Sequence, residues 1–162
     1  MIETDGFREM MIRFSSLPTD VGVEVRKAVN QGALMVHADA VRSIRKPSGG
    51  RVYVRRSARR GKRGFGRGSR TGIYIASKPG DVPNTDTGNL IKNIRVSRVK
   101  GNTRKGYSVY VRAVTPYARR LELGGRDKRG IMIKARPFMG PALAKNAPKI
   151  EKLIFNAVRS QL

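Results

Sequence analysis

"TDVGVEVRKAVNQGALMVHADAVRSIRKPSGGRVYV", residues 19–54, holds one periodicity and then abandons it. Val25, Val29, Ala33, Val36, Ala40 and Ile44 recur at spacings of three and four, which places them on one side of a helix. The spacing predicts a long amphipathic helix from about Thr19 to Ile44. Thr19 or Asp20 can accept the free amides at its start. Pro47, Gly49 and Gly50 end the pattern, because proline brings no amide to the helical ladder and glycine is costly to order. "RVYV" at 51–54 then reads as a strand. This one stretch commits the chain to both helix and sheet.

Upstream, "DGFREMMIRFSSLP" (5–18) spaces Phe7, Met10, Met11, Phe14 and Leu17 as a helix does, predicting a short first helix stopped by Pro18. Downstream, "RRSARRGKRGFGRGSR" (55–70) interrupts the strand, and "TGIYIAS" (71–77) resumes it. Two strand-forming arms around an Arg/Gly tip predict a long hairpin, inserted at about 45–78. "KPGDVPNTDTG" (78–88) is turn chemistry. Asp86 or Thr87 can accept amides opening a short helix through Leu90 and Ile91. Residues 94–99 and 106–114 alternate on either side of "KGNTRKG", which predicts an antiparallel hairpin with Tyr107, Val109 and Val111 on one face. "TPYARRLELGG" (115–125) offers a short helix with Pro116 in its first turn and Gly124 at its end. A short strand and turn follow. A final helix from about Pro141 to Val158 is striped by Leu143, Ala147, Ile150, Ile154 and Ala157, with Pro148 as a point of bending. The expected architecture is α+β: a small antiparallel sheet flanked by a long N-terminal helix and a C-terminal helix, with a long basic β-hairpin loop. The length of 162 residues suits one domain, 1–162.

Composition narrows the chemistry. Hydrophobic residues make up 39% and aromatics 6%, without tryptophan, so the core is built from Val, Ile, Leu, Ala and Met. The absence of cysteine removes disulfides, thiolate nucleophiles and cysteine-ligated zinc together. "MIETDGFREMMIRF" does not read as a secretory signal, and nothing approaches the roughly 20 apolar residues of a membrane span. With one histidine, catalysis is left to hydroxyl, lysine or carboxylate groups. His37 lies inside a helix and is assigned no role, and the scattered carboxylates form no acid/base pair. No catalytic residue, metal site or cofactor is expected.

Charge is the extreme feature. Lys and Arg number 35 against 11 acidic residues, a net charge of +24. No carboxylate occurs between Asp39 and Asp81, and residues 42–70 carry twelve of the basic side chains. Removing those twelve halves the net charge, so the remainder is basic in its own right. A field of this sign draws phosphates or acidic protein surfaces. "GKRGFGRG" lacks the spacing of phosphate-cradling loops. Its composition is nearer to Arg/Gly segments that hold nucleic-acid backbones without reading sequence. Arg55, Arg56, Arg59, Arg60, Lys62, Arg63, Arg67 and Arg70 are the candidate polyanion contacts, against the alternative of a solvated loop.

"ASKPGDVPNTDTGNLIKNI" (76–94), "TPYARRLELGG" (115–125) and "ARPFMGPAL" (135–143) stand in order ahead of an amphipathic helix, with "SGGRVY" (48–53) before the basic stretch. The set resembles the small neck or tail-completion proteins of long-tailed bacteriophages, the head-to-tail joining family typified by lambdoid phages, over roughly residues 5–162. Its motifs are a PGxxP turn, DTGxL, YAxxLExG and RPFMxPAL. Leu123, Gly124 and Gly125 stand where members often have a Phe-Gly-Thr, and the hairpin tip is longer and more basic than the family pattern. The residues carried over as structural or interface positions are Asp86, Thr87, Gly88, Leu90, Tyr117, Leu121, Glu122, Pro137, Phe138, Met139 and Pro141, with core packing placed ahead of direct contact.

The resemblance implies a noncatalytic virion protein at the neck, assembled in the bacterial host cytoplasm. It implies a ring of identical subunits, six in number, that joins head to tail and completes or caps the tail tube. Portal-bound connector proteins of the adaptor or stopper kind, tail terminator or tail tube proteins, and genomic DNA in the lumen are the expected partners. No membrane is among them. The alternative is a nonspecific nucleic-acid-binding protein of the ribosome- or nucleoid-associated kind, which composition alone would support. The strands offer little of the aromatic platform such a module uses.

Overall fold

A computed structural model describes residues 10–12, 19–46, 48–57, 70–102, 105–126 and 129–160. The long helix α1 spans Thr19–Arg45. All six stripe residues, Val25 through Ile44, are buried on its inner face. Against them lies α4, Met139–Arg159. The helices meet closely where Gly32 faces Ile150: a Cβ on residue 32 would come within 3.0 Å of that side chain. Burying such a stripe is what stabilises a helix of this length, since burial contributes about 25 cal/mol per Å² of apolar surface.

The buried face of α4 is not centred where the hydropathy pattern put it. Met139, Ala142, Asn146, Ile150 and Ile154 are buried, whereas Leu143, Ala147 and Ala157 are only partly covered. The shift is explained by Asn146, which donates to Asp39 Oδ2 on α1 at 2.7 Å and to the Ala142 carbonyl at 2.8 Å. A polar side chain thus holds a core position through a partner from the other helix.

The sheet elements are short and antiparallel. Strands β2 (Val52–Ser57) and β3 (Arg70–Ile75) pair in the register Val52↔Ile75 to Ser57↔Arg70, as the two arms predict. The segment between them, 58–69, lies outside the described residues. The second predicted hairpin is present but divided. β4 (Ile94–Val96) pairs with β7 (Val111–Ala113), and β5 (Lys100–Asn102) pairs with β6 (Gly106–Val109). The break falls where the Ser97 side chain takes over a ladder position: Tyr110 N donates to Ser97 Oγ at 2.9 Å, while Ser97 N donates to the Tyr110 carbonyl at 2.8 Å. Tyr107, Val109 and Val111 remain buried.

The expected first helix is corrected at its centre. Met10–Ile12 form strand β1, paired with β6 through Met10↔Val109, Met11↔Ser108 and Ile12↔Tyr107. The remainder of that prediction, 5–9 and 13–18, lies outside the described residues. An edge of β6 with unpaired amides and carbonyls offers these residues more hydrogen bonds than an isolated short helix would. Between the sheets and α4 lie α2 (Asn89–Lys92), α3 (Ala118–Leu123) and a small pair, β8 (Gly125–Arg126) with β9 (Met132–Ile133). His37 joins α1 to β4, its Nε2 lying 3.2 Å from the Ile94 carbonyl.

Candidate functional site

Two neighbouring arrangements gather the singled-out residues. The first is a polar lock at the start of α4. Glu122, buried near the end of α3, turns both carboxylate oxygens onto the free amides of the helix: Oε2 accepts from Phe138 N at 2.9 Å and Met139 N at 3.0 Å, and Oε1 accepts from Gly140 N at 2.7 Å. Phe138 supplies no cap of its own, so the helix takes its N-terminal partner from another element. Amides at a helix start lack intrahelical acceptors and carry positive partial charge, which makes a carboxylate their best neighbour. Phe138 and Met139 are buried beside it, Pro137 is half-buried and Pro141 is exposed. Pro141 occupies the first turn, where its missing amide costs nothing.

Gly124 makes the turn out of α3 possible. Its φ of 75° is one that side-chain-bearing residues rarely adopt, and a Cβ there would lie 2.9 Å from the Ile133 carbonyl oxygen. The following backbone comes back alongside, with Arg136 N donating to the Leu121 carbonyl at 2.6 Å. YAxxLExG and RPFM are therefore one spatial unit, joined by Glu122.

The second arrangement is a half-open cleft of about 610 Å³ between the β2–β3 ribbon, the 83–90 turn and α3. Tyr53 and Tyr74, stacked with ring centres 6.3 Å apart, form one wall. Asp86, Thr87, Gly88 and Leu90 line it from the turn, and Tyr117, Leu121 and Arg136 from the other side. Gly88 precedes α2 with φ 73°, and Thr85 and Thr87 hydroxyls accept from Gly88 N at 3.1 Å and Asn89 N at 3.4 Å. Tyr117 is held by Asn89, whose Nδ2 donates to its hydroxyl at 3.2 Å. Arg136 Nε is buried and has no hydrogen-bond partner among the described residues. An unpaired buried donor of this kind costs about 1–3 kcal/mol. Hydroxyls, stacked rings, a carboxylate and a guanidinium together suit the mixed surface of a peptide segment better than a bare polyanion.

Asn84 sets the ribbon's position. Its Nδ2 donates to the Ser48 and Ile75 carbonyls at 2.8 and 2.9 Å, and its Oδ1 accepts from Ser48 N at 2.8 Å. Residue 50 must be glycine at this root, for a Cβ would fall 1.7 Å from the Ala76 carbonyl oxygen. Sequence reasoning missed Tyr53, Tyr74, Asn84 and Arg136. The one legible signal was the pair of tyrosines at matching places in the two arms.

Of the candidate polyanion contacts, Arg55 and Arg56 fall in β2 and Arg70 in β3. Arg59, Arg60, Lys62, Arg63 and Arg67 lie outside the described residues. Among the described residues no cluster of histidine or carboxylate groups is placed to hold a metal ion, and no helix is long and apolar enough to cross a membrane.

Comparison with curated proteins and with solved structures gives no significant match. A family model does match, over residues 8–124: HK97-gp10-like, described as "Bacteriophage HK97-gp10, putative tail-component". The match runs from the strand β1 region through the ribbon, the cleft-forming turn and α3, and stops at Gly124, ahead of the RPFM segment and α4. Since the matched residues form well over half of the chain and contain both the DTGxL and YAxxLExG elements, the chain belongs to this HK97-gp10-like family of bacteriophage tail components.

Proposed function

We propose that this structural phage protein acts at the head–tail joint, as a ring of identical subunits that completes the tail and meets portal-side connector proteins on one face and tail proteins on the other. The observation that carries the reading is the family match, and the site is in keeping with it. Glu122 is spent on three backbone amides, and the cleft is lined by groups suited to holding a peptide. The role is mechanical, without a catalytic step. The basic hairpin serves as the contact with a polyanion, either DNA in the lumen or an acidic face of a neighbouring virion protein. Six copies and a neck position come from the resemblance of the motifs. A +24 chain needs such a counter-charge when copies are brought side by side.

The test is genetic and visual. Phage carrying a nonsense allele of the gene should accumulate filled heads and separate tails, and purified chain added to that lysate should restore joined particles. Negative-stain images of the chain with isolated tails should show capped tube ends. Normal joined virions from the nonsense allele would overturn the reading. Dispensability in the particle combined with tight, salt-sensitive binding of the monomer to RNA would favour the nucleic-acid-binding alternative.

A further inference from the structure

Positive charge is balanced unevenly over this molecule. On α1 and α4, Glu24 holds Lys27 at 2.7 Å, and Asp39 takes Arg42 at 2.9 Å and Lys145 at 3.2 Å. Residues 87–121, which include β4 to β7, hold nine Lys or Arg and no Asp or Glu. Within them the hydrogen-bond ladder fixes which side chains share a face. Val114 N donates to the Asn93 carbonyl at 2.9 Å and Ser97 N to the Tyr110 carbonyl at 2.8 Å, on either side of the directly opposed pair Arg95↔Arg112. Tyr107, Val109, Val111 and Ala113 are buried in the core, as is Ile94. Strand alternation therefore turns Ser108, Tyr110, Arg112 and Val114 outward in one row, with Arg95 beside Arg112. Both arginines are exposed, and neither meets a carboxylate among the described residues. The Arg112 guanidinium rests over the Tyr110 ring, 4.8 Å from its centre. Like charges set directly opposite each other destabilise a strand pair. On Cα atoms about 5.5 Å apart, the two guanidiniums can reach one phosphate group or two in succession, each with paired N–H donors.

We propose that this outer face of β4 and β7 binds the phosphate backbone of duplex DNA, as a contact separate from the 55–70 hairpin. Chemistry selects the occupant. An acidic protein surface would need an apolar centre here, because charged residues are depleted at the cores of protein interfaces. The centre of this face is instead the arginine pair, and its exposed aliphatic side chain, Val114, stands at the end of the row. A single strand would need free aromatic faces on which to stack its bases. The aromatic ring of this row, Tyr110, already carries Arg112. What is left is a flat, positively charged strip from Ser108 to Val114, about 20 Å long at about 3.3 Å per residue. Polar and strongly positive surfaces of this kind characterise protein–DNA contacts, and such a strip grips phosphates without reading bases. The contact stands whether or not the chain sits at the neck of the particle.

The test titrates full-length chain, unmodified and with Arg95→Gln plus Arg112→Gln, against labelled short duplexes of two unrelated sequences, by fluorescence anisotropy across a salt series. The slope of log affinity against log salt should fall in magnitude by about 1.8, as the loss of two phosphate contacts requires, and equally for both sequences. The same fall should appear in a chain whose Arg59, Arg60, Lys62, Arg63 and Arg67 are already serine. The melting temperature of the glutamine variant should hold or rise, because a like-charge pair has been removed. Arg95→Lys with Arg112→Lys keeps both charges and should keep the slope. Lys149→Gln with Lys152→Gln removes the same charge from α4 and should leave the slope within about 0.5 of the parent. A slope unmoved in the Arg95/Arg112 glutamine variant, an equal fall from the α4 control, or a lowered melting temperature would each overturn the proposal. So would a polyglutamate or a single strand that loses more affinity than the duplex does when Arg95 and Arg112 are replaced. Particle joining is scored separately. A chain that particles need but that shows no change of slope sinks this surface alone, while a change of slope in a chain that particles do not need sinks the neck reading alone.

Discussion

Glu122 does the work of a cap from a distance of sixteen to eighteen residues along the chain. No local rule at residues 137–141 would find it, since the expected cap residues Ser, Thr, Asp and Asn are missing there. Its place in YAxxLExG pointed to the residue without giving its partner. Glu122→Ala leaves three amides without acceptors and should cost about 2–3 kcal/mol. Glu122→Gln keeps one acceptor oxygen and should lose about half as much. Urea midpoints of the purified variants check both values, and a cost below about 0.5 kcal/mol for the alanine variant would remove the lock from the account. Asn84 is comparable in kind, because its amide closes four hydrogen bonds to Ser48 and Ile75. Asn84→Ala should release the ribbon from its root: amide exchange at Ile75 and Ala76 should accelerate at least ten-fold while α1 stays protected. Uniform acceleration across the whole chain would show that Asn84 supports global stability instead.

At the scale of elements, what the sequence disclosed depended on whether one segment held the information by itself. The α1 stripe was legible because its β-branched and small residues recur at helical spacing and are buried whichever element covers them, here α4 together with β4, β6 and β7. The β2 and β3 arms were legible from strand-forming residues on both sides of an Arg/Gly interruption. Met10–Ile12 were misread since three residues satisfy either period, and the pairing that decides the matter is with Val109, Ser108 and Tyr107, far along the chain. The cleft was illegible for the same reason: Tyr53, Asn84 and Arg136 come from three segments that only the fold brings together. The phase error on α4 came from ranking Leu143 and Ala147 above Asn146 by hydropathy, when the deciding group was Asp39 on α1. That contact carries a pH signature. The hydrogen bond from Asn146, with Lys145 next and Arg42 beside it, holds the Asp39 carboxyl below its usual range. A depressed folded-state pKa gives stability that is complete above the unfolded value of 3.8 and is lost as pH falls through the folded one. Wild type should exceed Asp39→Asn by about 1 kcal/mol near neutral pH. The gap should hold to about pH 5 and shrink below about pH 4. A gap that grows on acidification would contradict the assignment.

For the whole molecule the governing quantity is charge, and it separates the two contacts this chain is proposed to make. In the proposed ring, added salt should strengthen the association of neighbouring copies by screening the repulsion between +24 subunits. Binding to DNA should respond in the opposite sense, because each neutralised phosphate releases counterions and lowers log affinity by about 0.9 per decade of salt. If the eight candidate cations of residues 55–70 all reach phosphates, the slope of log affinity against log salt approaches about −7. Replacing Arg59, Arg60, Lys62, Arg63 and Arg67 with serine leaves β2 and β3 intact and removes five of those eight charges. The slope should then fall in magnitude by about 4 to 5, and should do so equally for duplexes of unrelated sequence, since phosphate contacts carry no base information. Fluorescence anisotropy with short duplexes across a salt series measures it, and the same variants sedimented at each salt concentration report self-association in parallel. A slope unchanged by the five substitutions would move the DNA contact away from the hairpin tip to the other basic half of the chain. Loss of self-association in the same variants would instead tie residues 59–67 to the contact between copies.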